Sequence, residues 1–207
     1  MKQILKCLPA IAPAVSRLSQ RGKARFVMPA LFATLVGSAA FAQTLDQAWG
    51  VYGQIGTTIH GSRNSNDVTL GFVAPLLAPR DWWNGQFSGY WDGFISEWHA
   101  PSLIGGGRSS YTQLGVIPTL RYRLDGGQSR WFADAGLGLT YLDKIYSTPD
   151  RSFSSRFQFS EVLGVGRIFG AQGQYELGLR FQHFSNAGIT EPNPGENFVQ
   201  LRFVAKF

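Results

Sequence analysis

From Tyr175 to Phe207 the chemistry of the chain alternates residue by residue, and that alternation restricts the fold more than any other feature. Tyr175, Leu177, Leu179 and Phe181 form one set, and Glu176, Gly178, Arg180 and Gln182 the other. A period of two puts successive side chains on opposite faces of a β-strand, so this strand has one apolar and one polar face. The apolar row runs on into His183 and Ser185. After a loop rich in Pro, Gly and Asn, the chain returns with Val199, Leu201, Phe203, Ala205 and Phe207 set against Gln200, Arg202 and Lys206. An antiparallel pair of strands ending on an aromatic residue is predicted here.

The N-terminal region reads differently. Lys2, Lys6, Arg17, Arg21, Lys23 and Arg25 precede an apolar run from Phe26 to Ala39, with no acid among them, and Ala40-Phe41-Ala42 follows. Basic, then apolar, then small-x-small is the order of a secretory signal, and the run is short for a membrane span. Residues 1–42 are therefore predicted to be a signal peptide and 43–207 the folded region. The whole chain carries +6, but six of its 19 Lys and Arg lie before residue 43, which leaves 13 basic against 13 acidic residues. The charge balance gives no ground for a nucleic-acid partner. Cys7 is the only cysteine, so the exported region is predicted to hold together without a disulfide.

No stretch after residue 43 approaches the roughly 18 consecutive apolar residues that a helical span needs. Alternating segments recur instead, near 48–58, 67–74, 86–99, 111–124, 129–142, 156–168, 175–185 and 197–207, separated by turn signals such as Asp125-Gly126-Gly127-Gln128 and Gly170-Ala171-Gln172-Gly173. Export, alternation and an aromatic end together predict an all-β fold, an eight-stranded antiparallel transmembrane β-barrel of the outer membrane. Such a closure pairs every backbone group without helices. Arg121, Asp134, Glu176, Arg180 and Arg202 fall on the rows predicted to point inward, where opposite charges can pair in a filled interior. Glu161 interrupts an otherwise apolar row, Phe157, Phe159, Leu163 and Val165, and is read as a bulge or a break in register rather than a catalytic acid. The connection 75–85 is read as a periplasmic loop longer than usual for that side, with Trp82 and Trp83 at the membrane interface.

An even-stranded barrel has both termini on the periplasmic side, with the short turns there. His183 and Ser185 then lie at the outer end of strand seven, on the row facing lipid. Two residues apart on a strand, their Cα atoms are about 7 Å apart and the side chains project the same way. A neutral imidazole can take the Ser proton during attack on an acyl carbon when an acceptor holds its other nitrogen. Glu191 and Glu196 are the acidic candidates for that acceptor, and Glu196 is preferred because it opens strand eight beside the top of strand seven. The turn Asn186-Ala187-Gly188 offers backbone N–H groups, or the Asn amide, to an oxyanion.

His183-Phe184-Ser185-Asn186-Ala187-Gly188, followed by Pro192-Asn193 and Gly195-Glu196, resembles the signature of the lipid A deacylases of the PagL type. The resemblance implies an eight-stranded outer-membrane barrel that hydrolyses the ester-linked acyl chain at the 3 position of lipid A. It implies His183 as base, Ser185 as nucleophile, Glu196 as the acid orienting the base, and Asn186 and Gly188 at the oxyanion. No metal or cofactor is implied. Lipid A, or lipopolysaccharide, in the outer leaflet is the implied partner, and a homodimer stays open. Two rival readings are a small structural or adhesive barrel without catalysis and a barrel resembling the lipid A palmitoyltransferases.

Overall fold

The computed structural model describes residues 46–207; the predicted signal segment lies outside the described residues. Eight strands, β1 (Gly50–Thr58), β2 (Asn66–Trp82), β3 (Gly85–Pro101), β4 (Arg108–Leu124), β5 (Trp131–Leu142), β6 (Phe157–Phe169), β7 (Tyr175–Ser185) and β8 (Glu196–Lys206), pair antiparallel in chain order. The pairing of β1 with β8 closes the ring. Closure leaves no sheet edge, which is what a strand fold in lipid requires.

The alternation predicted from the sequence separates the two faces. Leu114, Val116 and Leu120 of β4, Leu137 and Leu139 of β5, Leu163 and Val165 of β6, and Leu179 and Leu201 of β7 and β8 are all exposed on the outside. Inside, the charges pair. Asp92 takes Arg180 at 2.7 Å, Arg202 at 2.9 Å and the Tyr52 hydroxyl at 2.6 Å. Arg121 donates to both oxygens of Asp134, at 2.9 and 3.0 Å, and also reaches Glu176. Asp92 was not among the residues predicted for this network, yet it holds two of its three cations through one carboxylate. Asp92→Ala leaves two buried guanidinium groups without their counter-charge, and a loss of about 3–5 kcal/mol is expected. The check is the urea concentration at which the heat-modifiable band of the folded barrel disappears on a gel.

The outer end of the interior is apolar. Trp98, Tyr111, Leu142, Phe184 and Phe198 pack with Tyr146 and Phe153 from the 143–156 loop, which thus folds inward over the barrel mouth.

Two expectations need correction. The segment 75–82 is strand, not loop: β2 runs to Trp82, and Trp83-Asn84 alone turn the chain into β3. Register shifts between Pro75 and Leu77 and between Leu77 and Arg80 absorb the prolines, because a bulge leaves a residue without a ladder bond to lose. Glu161 marks neither bulge nor register break. Its pairings with Leu137 on β5 and His183 on β7 belong to uninterrupted ladders, so its side chain stands on the outer, lipid-facing row.

Candidate active site

His183 and Ser185 are the last two outward positions of β7, both partly exposed, and they continue the row of Leu177, Leu179 and Phe181. The pairing register fixes what surrounds them. His183 lies between Glu161 on β6 and Asn197 on β8, and Ser185 lies beside Phe159. Nδ1 of the imidazole is 2.6 Å from Oδ1 of Asn197. A carboxamide oxygen only accepts, so the proton sits on Nδ1 and Nε2 keeps its lone pair. That is the tautomer a general base needs. The Ser185 hydroxyl makes no hydrogen bond among the described residues, as is common for a nucleophile before substrate arrives.

The predicted acid is not at the imidazole. Glu196 is directly opposite Phe184, and both are buried inside the barrel. Its carboxylate accepts from the Tyr146 hydroxyl at 3.0 Å and from the backbone N–H of Asn197 at 3.1 Å. Parity is the physical reason: His183 is an odd position of β7 paired with an odd position of β8, so the residue reaching it is Asn197 and the even Glu196 faces inward. Glu191 does not reach it either, since its carboxylate accepts the Asn193 N–H within the loop at 2.9 Å. The outward rows of β8 carried this information in the sequence, because Asn197 shares the phase of Val199, Leu201 and Phe203.

The two predicted oxyanion residues are brought to the turn after Ser185, where they build it. The Asn186 amide, buried, donates to Ser154 Oγ at 2.9 Å and to the carbonyl and hydroxyl of Thr190 at 2.8 and 2.9 Å. Its Oδ1 accepts the Gly188 N–H at 2.9 Å, and its own N–H goes to Asn193 Oδ1 at 3.1 Å. Both groups are thus committed to loop structure.

The 143–156 loop holds the far side of the site. Arg151 donates to the carbonyls of Pro194 and Gly195, at 3.1 and 2.9 Å, and Ser154 joins Thr190. Tyr146 bridges Ser65 and Glu196, and burial together with that neighbouring carboxylate pushes its hydroxyl well above the usual tyrosine range. Asp150 accepts the N–H and the hydroxyl of Ser62, at 2.8 and 2.9 Å, which holds its carboxyl below the usual range. A depressed folded value means that the stability this tie adds is fully present above the ordinary Asp range and is lost as the pH falls below that range through the folded value. Arg151 is therefore a clamp on the strand-eight approach. Arg108 and Arg156 are also engaged, the first with the carbonyls of Asn64 and His99, the second over the Tyr141 ring.

Gly195 closely constrains the His183 imidazole. With φ at +63°, it lies in the left-handed region, and a Cβ built there would be 2.7 Å from Cε1 of His183. Gly195→Ala is expected to push the imidazole off Asn197 and to lower the turnover number by about 10²-fold, the usual cost of a displacement near 1 Å. Steady-state kinetics on protein whose heat-modifiable gel shift is intact will check it.

Among the described residues no group of three or more His, Cys, Asp or Glu is arranged to hold a metal ion. The arrangement is a serine two residues from an imidazole whose Nδ1 is held by Asn197, at the outer end of a lipid-facing row.

Comparison with known proteins points the same way. The family model described as lipid A 3-O-deacylase (PagL) matches residues 66–206. A lipid A deacylase PagL of Bordetella bronchiseptica is 33% identical over 181 residues, which is 84% of this chain and 92% of that protein. One from Pseudomonas aeruginosa is 32% identical over 119 residues, 56% of this chain and 65% of that protein. A crystal structure of the outer-membrane enzyme PagL superposes with a TM-score of 0.63 at 24% identity, covering 76% of this chain and 99% of that one, and it supports the fold. With a family model spanning most of its length, and a relative at one-third identity over nearly all of it, the chain belongs to the PagL family of lipid A 3-O-deacylases.

Proposed function

We propose that this barrel, an integral protein of the outer membrane, removes the 3-position acyl chain of lipid A by serine ester hydrolysis, with Ser185 as nucleophile and His183 as base. The observation that carries the reading is the imidazole of His183, bonded through Nδ1 to Asn197 and one outward position from Ser185. Ser185 Oγ attacks the ester carbonyl carbon while Nε2 takes its proton. The tetrahedral centre collapses by expelling the sugar 3-oxygen, which receives that proton from the imidazolium. The acyl chain is then on Ser185. Water, deprotonated by His183, attacks the acyl carbon, and the fatty acid leaves as Ser185 regains its proton.

The third member of this arrangement is Asn197 in place of the expected Glu196: it holds the tautomer without contributing a charge. Asn186 and Gly188 act by fixing the turn. The N–H of Ala187, at φ +54° between them, has no acceptor among the described residues, and we assign the oxyanion to it.

Position on the lipid-facing row explains how the substrate reaches the site. Lipid A ester carbonyls lie just under the headgroups of the outer leaflet, and a nucleophile pointing outward at the strand end meets them by lateral diffusion. No tunnel through the barrel is needed. The test is mass spectrometry of lipid A incubated with the refolded chain. Loss of one acyl mass with release of the corresponding fatty acid is expected. A mass gain would mean acyl transfer, and unchanged lipid A with folded protein would leave a non-catalytic barrel.

A further inference from the structure

Glu161 is a carboxylate on the outside of the barrel, in the row Leu137, Glu161, His183, Asn197 that crosses β5 to β8 in continuous register. On its own strand its outward neighbours are Phe159 and Leu163, so it stands in apolar surroundings on the lipid side. It makes no hydrogen bond or ion pair among the described residues. An unpaired carboxylate on such a face is costly, so the position calls for a reason other than packing. Directly opposed residues of an antiparallel pair have Cβ atoms about 5 Å apart, and that residue is the catalytic base.

Among the described residues the site otherwise lacks a negative charge for the imidazolium. The groups facing His183 are Asn197 from β8, which is neutral, Gly195 from the loop, and Glu161 from β6. Arg151 sits behind Gly195, its charge paired with Glu196 at 4.0 Å, Glu191 is turned to Asn193, and Glu196 points inward. We infer that Glu161 is a positioning residue for this reaction, supplying from the opposite strand the counter-charge to protonated His183 that a three-membered triad draws from its acid. The two tasks of a triad acid are then divided: Asn197 holds the tautomer, and Glu161 stabilises the charge.

This inference rests on the reading of His183 and Ser185 given above. It is tested with five variants of the full chain in detergent, all assayed on lipid A: Ser185→Ala, Glu161→Gln, Glu161→Asp, Asn197→Glu, and Glu161→Gln combined with Asn197→Glu, the last compared with Asn197→Glu alone. Glu161→Gln keeps shape and removes charge, so the barrel is expected to fold as before. Its turnover number should fall about 10- to 100-fold with KM unchanged, since the charge acts only once the proton has moved. Glu161→Asp should recover most of that loss. In the double variant a carboxylate at 197 carries both tasks, and removing Glu161 should then cost less than about threefold. Parent-like turnover in Glu161→Gln overturns the inference, as does a rise in KM at constant turnover, which would make Glu161 a substrate contact. An unabated loss in the double variant also overturns it. Activity surviving in Ser185→Ala would instead refute the reading of the site itself, so the two failures are distinguishable.

Discussion

Ser185→Ala is expected to leave lipid A intact, with acyl release reduced by about 10⁴-fold or more. The size follows from the chemistry. Without Oγ no acyl-enzyme forms, and the direct attack of water must proceed with only the turn after β7 to stabilise the oxyanion. The substitution removes one oxygen from a half-exposed position whose hydroxyl holds no protein partner, so stability should not change measurably. Mass spectrometry of lipid A after prolonged incubation reads the loss, and the heat-modifiable band confirms the fold. His183→Ala should be as severe, and the two together no worse than either, because residues of one catalytic unit fail together.

Asn197→Leu carries the second large expectation. Leu is close in size but accepts no hydrogen bond, so nothing then holds the proton on Nδ1 against the Nε2–H tautomer, in which the lone pair faces position 197. A decrease in turnover of about 10²- to 10⁴-fold is expected. Glu196→Gln should behave otherwise. Its carboxylate supports Tyr146 and the backbone of Asn197 from inside the barrel; the amide that replaces it keeps the Asn197 N–H on its oxygen and donates from its NH2 to the Tyr146 hydroxyl, whose own proton turns to Ser65. Parallel kinetics on the two variants separate a residue bonded to the base from one that supports the loop. Greater loss in Glu196→Gln than in Asn197→Leu would contradict the assignment.

The barrel was legible because its period is simple. Outward rows of Leu, Val and Phe against inward Arg, Asp and Glu identify strands whatever their exact ends, and the closure follows from the count. The extent of β2 past Pro75 is not legible, because sequence does not reveal the bulges that carry the strand on to Trp82. At the site, local spacing placed His183 and Ser185 correctly on one face of β7. The acid was misplaced because a carboxylate was sought by residue type, while the register of β7 against β8 selects by parity and brings up Asn197. Glu161 was undervalued for a related reason. Its conflict with an apolar row reads as an error in the strand, whereas the ladder is continuous and Glu161 stays on that row opposite His183. Asn186 could not be judged from sequence at all, since its partners Ser154 and Thr190 come from two different loops.

The central claim is that Ser185 is a nucleophile activated by His183 on the lipid-facing side of the barrel. It is tested most directly by treating the folded protein in detergent with a long-chain alkyl fluorophosphonate and mapping the adduct by peptide mass spectrometry. One phosphonyl group on the peptide containing Ser185, absent from Ser185→Ala and nearly absent from His183→Ala, is the predicted result. An adduct elsewhere, or none while the same preparation still cleaves lipid A, would contradict it.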